Sequence, residues 1–137
     1  MKVFLDTNVL VSAVATRGLC ADVFHAVLAE HQLIVGKAVL TELRRVLRQK
    51  IRLSADTIAE METFLRRQAL VVTDAPPLRI KLRDPDDLAI LAEAVAGGAD
   101  VLVTGDQDLL SMAARAPLPI VTPRGLWEIL RANPDAK

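Results

Sequence analysis

The sequence holds one cysteine, Cys20, no tyrosine, three phenylalanines and one tryptophan in 137 residues. A single thiol excludes an internal disulfide framework and a cysteine-rich zinc site. Cys20 therefore reads as a small buried hydrophobe. With Phe4, Phe24, Phe64 and Trp127 as the whole aromatic set, a base-stacking platform of the kind used by RNA-binding sheets and barrels is excluded. Lys and Arg total 17, as do Asp and Glu. That balance excludes a polycation that coats nucleic acid by charge alone. No run approaches ~18 apolar residues, so no membrane-spanning helix is expected. Neither G-x-G-x-x-G nor a Walker A loop occurs, which removes nucleotide binding through a glycine-rich loop.

What is present is a globular composition, 52% apolar and 25% charged. The length suits one domain, residues 1–137, at about 150 residues per domain, with the tail from about 132, Asn133–Lys137, expected to fray. Lys2 and the apolar run to Ala15 loosely resemble a signal peptide. Asp6 and Asn8 interrupt its apolar core, so the start reads as a buried strand of a cytoplasmic protein.

Short apolar runs alternate with amphipathic stretches. Lys2–Leu5, Leu33–Val35, Leu70–Val72, Val101–Val103 and, more weakly, Pro119–Val121 read as strands. Most are uninterrupted, as strands covered on both faces are. Leu19, Val23, Ala26 and Val27 share one helical face, as do Val39, Leu43, Val46 and Leu47. Ser54 suits the N-cap of a helix carrying Ile58, Met61 and Leu65. Asp84-Pro85 opens another, which Gly97-Gly98 closes. Thr122-Pro123 starts a last helix through Leu130. This βαβα alternation predicts a three-layer α/β/α sandwich around a parallel sheet of about five strands.

Ligands of such sheets bind beyond the carboxyl ends of the strands. Four acids fall there: Asp6 after the first strand, Glu42 in the helix after the second, Asp87 in the turn opened by Asp84-Pro85, and Asp106 after the fourth. Each has a bland alternative. Asp6 could turn the chain, Glu42 could be a solvated helix residue, Asp87 a helix-dipole partner and Asp106 an N-cap. Asp84, Asp86 and Asp108 fit capping or solvent better. Converging carboxylates repel one another, and a divalent cation resolves the conflict. All-oxygen ligation suits Mg²⁺ or Mn²⁺ rather than Zn²⁺. His25 and His31, six apart on one expected helix, do not share a face and are not placed to act.

Leu5-Asp6-Thr7-Asn8-Val9-Leu10, Leu40-Thr41-Glu42-Leu43, Arg83-Asp84-Pro85-Asp86-Asp87 and Val103-Thr104-Gly105-Asp106-Gln107-Asp108-Leu109-Leu110 together resemble the PIN domain. They are most similar to the single-domain, VapC-like toxins of toxin–antitoxin pairs. The resemblance runs to about Leu130. It implies a parallel sheet sandwiched by helices, and Mg²⁺- or Mn²⁺-dependent endoribonuclease cleavage leaving a 5′-phosphate and a 3′-hydroxyl. It assigns the metal and the catalysis to Asp6, Glu42, Asp87 and Asp106, with Asn8 and Thr104 in support. It also implies a cognate antitoxin and a homodimer. Lys37 departs from the pattern, because a Ser or Thr often caps the helix that bears Glu42. That leaves the start of the helix open.

Two basic clusters could hold RNA phosphates. Arg44, Arg45, Arg48, Lys50 and Arg52 lie within nine residues without an acid. Arg79, Lys81 and Arg83 precede the Asp84 turn. Either could equally be a solvated face or an antitoxin surface. An aspartyl-phosphate phosphohydrolase is disfavoured, because Asn8 stands where that motif needs a second Asp. A catalytically silent PIN module that binds a partner stays open, as does DNA as the substrate.

Overall fold

The computed structural model describes residues 1–132, so the expectation for Asn133–Lys137 lies outside the described residues. Five strands, β1 (Lys2–Leu5), β2 (Gln32–Gly36), β3 (Leu70–Val72), β4 (Val101–Val103) and β5 (Ile120–Val121), form one sheet in the order β3-β2-β1-β4-β5. Every pairing is parallel. Phe4 on the central strand lies between Ile34 and Leu102. Val3, Phe4 and Leu5 are fully buried, as are Ile34, Val35, Leu102 and Val103. This is why those runs carry no polar residue: each side chain, up or down, meets a helix layer. Burial of a side chain of this size contributes ~1.5–3 kcal/mol, so the central strands anchor the domain.

Among the described residues six α-helices lie between the strands, α1 (Thr7–Ala15), α2 (Leu19–Glu30), α3 (Lys37–Gln49), α4 (Ala55–Gln68), α5 (Pro85–Ala96) and α6 (Gln107–Ser111), and α7 (Pro123–Ala132) follows β5. A 3-10 turn, Ala113–Arg115, follows α6. The chain steps from β1 to β2 to β3 on one side, then returns across the sheet to β4 and β5. With right-handed crossovers, that reversal puts α2 and α5 on opposite faces. Accordingly α2 packs on β2 and α7, and α5 packs on β2, β4 and α3. The reversal also opens a crevice between the carboxyl ends of β1 and β4, the position where doubly wound sheets bind ligands.

The strands, the Ser54 cap and the Asp84-Pro85 start fall where the sequence puts them. Beyond Gly97, Gly98 adopts φ +70, a left-handed conformation that favours glycine. Helix α1 is the element absent from the sequence reading, since Val9-Leu10-Val11 continues an apolar run and shows no helical stripe. His31 is also displaced: it caps α2 rather than lying within it.

The open question at Lys37 has a long-range answer. Helix α3 starts at Lys37 behind Gly36, with no cap from its own segment. The carboxylate of Glu93, on α5, instead accepts from the Ala38 amide at 3.0 and 3.2 Å. It satisfies a free amide of the first turn and places a negative charge at the positive end of the helix. A Cβ on Gly36 would collide with the Glu93 carboxylate, so glycine is required by close approach. Gly36→Ala should destabilise the domain by about 1–3 kcal/mol, and Glu93→Ala by about 1–2 kcal/mol through the lost cap. The double variant should lose less than the sum, because removing Glu93 removes the collision. Urea unfolding of the three variants measures this; strict additivity would contradict it.

Candidate active site

Asp6 leaves β1 and caps α1 in the same residue. Its backbone is extended (φ −71, ψ 162), and its amide donates to Val103 O of β4 at 3.0 Å. One carboxylate oxygen accepts from the Thr7 amide at 2.7 Å. The other accepts from the Thr104 hydroxyl at 2.7 Å and the Asn8 side-chain amide at 3.1 Å. Thr104, fully buried just past β4, also accepts from the Asp106 amide at 3.0 Å. Asn8 closes the ring, accepting from the Gly105 amide at 2.8 Å. Asn8 and Thr104 thus tie the ends of β1 and β4 together through Asp6.

Asp106 caps α6, one oxygen accepting from the Asp108 amide at 2.8 Å. Asp87 stands in the first turn of α5 and is 7% exposed. Glu42 accepts from the Thr7 hydroxyl at 3.4 Å, and Arg45 lies 4.0 Å from its other oxygen. Asp6, Glu42, Asp87 and Asp106 all border one groove of about 540 Å³. The bland reading of Asp106 as a cap is true, but it occupies one oxygen of two. Two residues were missed or set aside. Thr7 orients Glu42, and nothing in its spacing signals that. Asp108 presents a carboxylate oxygen within 4.8 Å of those of Asp87 and Asp106, one oxygen being taken from each residue. Asp84 caps α5 through the Asp86 amide at 2.9 Å, as expected.

The electrostatics follow from this crowding. Burial holds the Asp6 carboxyl above its usual range, although Thr104, Thr7 and Asn8 favour the ion. Burial also raises Glu42, with the charge of Asp6 adding to it and Arg45 opposing. Asp87 is pushed up to about 7 by burial, then by the charges of Asp106, Asp84, Asp6 and Asp108.

The basic residues divide. Arg44 pairs with Glu62 of α4 at 2.6 Å, and Arg48 borders the same α3–α4 groove. Both face away from the acids. Arg45 lines a second groove that shares Glu42 and Asp86 with the acidic one. Lys50 lines the acidic groove itself. Arg83 is exposed, just before Asp84, and does not border that groove. His25 and His31 also lie outside it.

A PIN-domain family model matches residues 2–108, and the chain belongs to the PIN-domain family. The match ends at Asp108 and so takes in four strands and every acid described above. Solved structures share the fold. A chain of VapBC2 from Rickettsia felis, bound to a promoter DNA fragment, superposes with TM-score 0.63 at 20% identity, over 89% of this chain and 98% of that one. VapBC-1 from nontypeable Haemophilus influenzae gives 0.64 at 16%, over 90% and 99%. FitAcB from Neisseria gonorrhoeae gives 0.59 at 16%, over 89% and 98%. No curated protein matches the chain.

The raised Asp87 carboxyl sets a pH dependence. In the unfolded chain the group ionises near 3.8, and in the folded protein near 7. Its contribution to stability is therefore fully present below 3.8 and is lost as pH rises toward 7. Asp6 and Glu42, also raised, act with the same sign. Metal-free protein should melt lower as pH rises across that window. Asp87→Asn should flatten the decline. Thermal melts in chelator across the window check this, and parallel curves for the two proteins would refute the assignment.

Proposed function

We propose that the protein is a metal-dependent endoribonuclease, the VapC-like toxin of a toxin–antitoxin pair. The observation that carries this reading is the convergence of Asp6, Glu42, Asp87 and Asp106 on one groove at the reversal point of the sheet. The residues fit a hard divalent cation. Their donors are all carboxylate oxygens, three of the acids are raised toward the neutral form, and Asp87, Asp106 and Asp108 bring oxygens within 4.8 Å of one another. Such a set suits Mg²⁺ or Mn²⁺ over softer ions. Asp6, Asp87 and Asp106 would hold it, with Glu42 and Asp108 alongside. When bound, the ion supplies a more acidic water for attack at phosphorus and charge compensation for the leaving oxygen.

The chain's own part is positioning. Thr104 and Asn8 hold the Asp6 carboxylate in one orientation. Three donors leave part of its lone-pair capacity for another ligand. Thr7 steadies Glu42, and the Asp108 amide fixes Asp106. Attack by a water needs no side-chain nucleophile, and the resemblance implies products bearing a 5′-phosphate and a 3′-hydroxyl. The resemblance adds an antitoxin partner and a homodimer, and the single cysteine fits a cytoplasmic setting. The VapBC assemblies that share the fold favour the antitoxin partner.

The purified protein should cleave unstructured RNA with Mn²⁺ or Mg²⁺ and stop in EDTA. Asp6→Asn should lose at least roughly 100-fold in rate while staying folded, since losing an interaction of several kcal/mol at the reacting phosphate costs that much. The assay is cleavage of an end-labelled RNA beside its DNA counterpart. Undiminished activity of the variant, or activity in EDTA, overturns the mechanism. Binding without cleavage would instead favour the silent, partner-binding module.

A further inference from the structure

Six carboxylates border the acidic groove: the four candidate ligands with Asp84 and Asp86. A nucleic-acid strand, itself a polyanion, must enter against them. Among the described residues bordering this groove, Lys50 is the single cation. It caps the C-terminus of α3, its amide donating to Val46 O at 2.9 Å. Glu42, Val46 and Lys50 are spaced by four, so they form one stripe of α3 that faces the groove. The adjoining groove, of about 500 Å³, shares Glu42, Asp86 and Ile90 with the first and is bordered by Lys37 and Arg45. Lys37 is the first residue of α3 and is exposed. By spacing Lys37 starts on the side of Arg44 and Arg48, and it meets the acids' side only where the adjoining groove rounds the N-terminus of α3, so the helix runs past the acids with a cation at each end. Lys50 is thirteen positions after Lys37, roughly 20 Å along the helix.

We propose that the substrate strand lies along α3, with Lys50 and Lys37 holding backbone phosphates on opposite sides of the bond that is cleaved. This deepens the ribonuclease reading and rests on it. The two cations offset the repulsion of the acidic groove where the strand enters and leaves. Arg44 and Arg48 take no part, because they face α4 and Glu62. A contact of this kind is to phosphate, so it carries affinity and register, not base sequence.

The test measures equilibrium binding of a fluorescent single-stranded RNA to Asp6→Asn protein in Mn²⁺, across a salt series, with added Lys50→Gln, Lys37→Gln or both. Each single change should weaken binding several-fold and reduce the log–log salt slope by about 0.7, and the pair by about twice that. Lys50→Arg should restore most of the loss. Arg67→Gln, an exposed cation on α4, should bind as the parent does. In the active protein the two lysine variants should raise KM more than they lower kcat. The Mn²⁺-induced rise in Tm should stay as in the parent, separating strand binding from damage to the acids. If either lysine variant binds with the parent's affinity and slope, the track is overturned, whatever the cleavage assay gives. If the track variants behave as expected but the wild-type protein cleaves nothing, the strand path stands and the nuclease reading falls.

Discussion

Everything in this domain is arranged around carboxylates held close together at the end of a dry sheet. Burial and neighbouring like charges both raise the cost of ionising in such a groove, and together, burial first, they push Asp87 up to about 7. A fold with no use for the arrangement would replace one of the acids. Here the chain spends its local structure on keeping them. Asp6, Asp84 and Asp106 are each the N-cap of the helix that follows them. Each acid near a strand end or a loop therefore also satisfies amides that a helix start leaves free. That dual use gives the crowded groove part of its stability back.

The remaining stiffness comes from contacts that cross the sheet. The Thr104 hydroxyl accepts from the Asp106 amide and donates to Asp6, so one buried oxygen fixes two candidate ligands. Glu93 does the same at a larger scale. By capping α3 from α5, it couples the helix bearing Glu42 to the helix bearing Asp87. Burial raises the Glu93 carboxyl as well, while the amides of Ala38 and Lys37 draw it back. The acids are thus carried on rigid elements whose relative positions are set by buried polar bonds, which constrain geometry more tightly than apolar packing does.

Sequence reasoning reaches some of this and misses the rest for identifiable reasons. The strands are legible because burial on both faces leaves no room for polar residues. The Asp84-Pro85 start is legible because capping chemistry is local. Helix α1 is not, since its exposed end carries apolar Val14 and Ala15 where an amphipathic helix would turn polar residues outward. Glu93 is invisible because its partner lies 55 residues away. Asp108 looks like one more acid in a first turn until folding brings Asp87 beside it. The arginine cluster is the instructive case. Arg44 and Arg48 are four apart and share a face, whereas Glu42, Val46 and Lys50 share another. The helical spacing already separates the two sets, but nearness in sequence makes them look like one patch.

The acids converge at a cost to the fold, and the proposed nuclease needs a divalent cation to offset it. The most direct measurement is the melting temperature of wild-type and Asp87→Asn protein, each in EDTA and in saturating Mn²⁺. An ion that binds only the folded state stabilises by RT ln(1 + [L]/Kd), about 2.7 kcal/mol at a hundredfold excess over Kd. For a domain of this size that is on the order of 10 °C. Wild type should show this rise. Asp87→Asn should melt at or above wild type in EDTA and gain much less in Mn²⁺. A wild-type melting temperature indifferent to saturating Mn²⁺ and Mg²⁺ would contradict that offset.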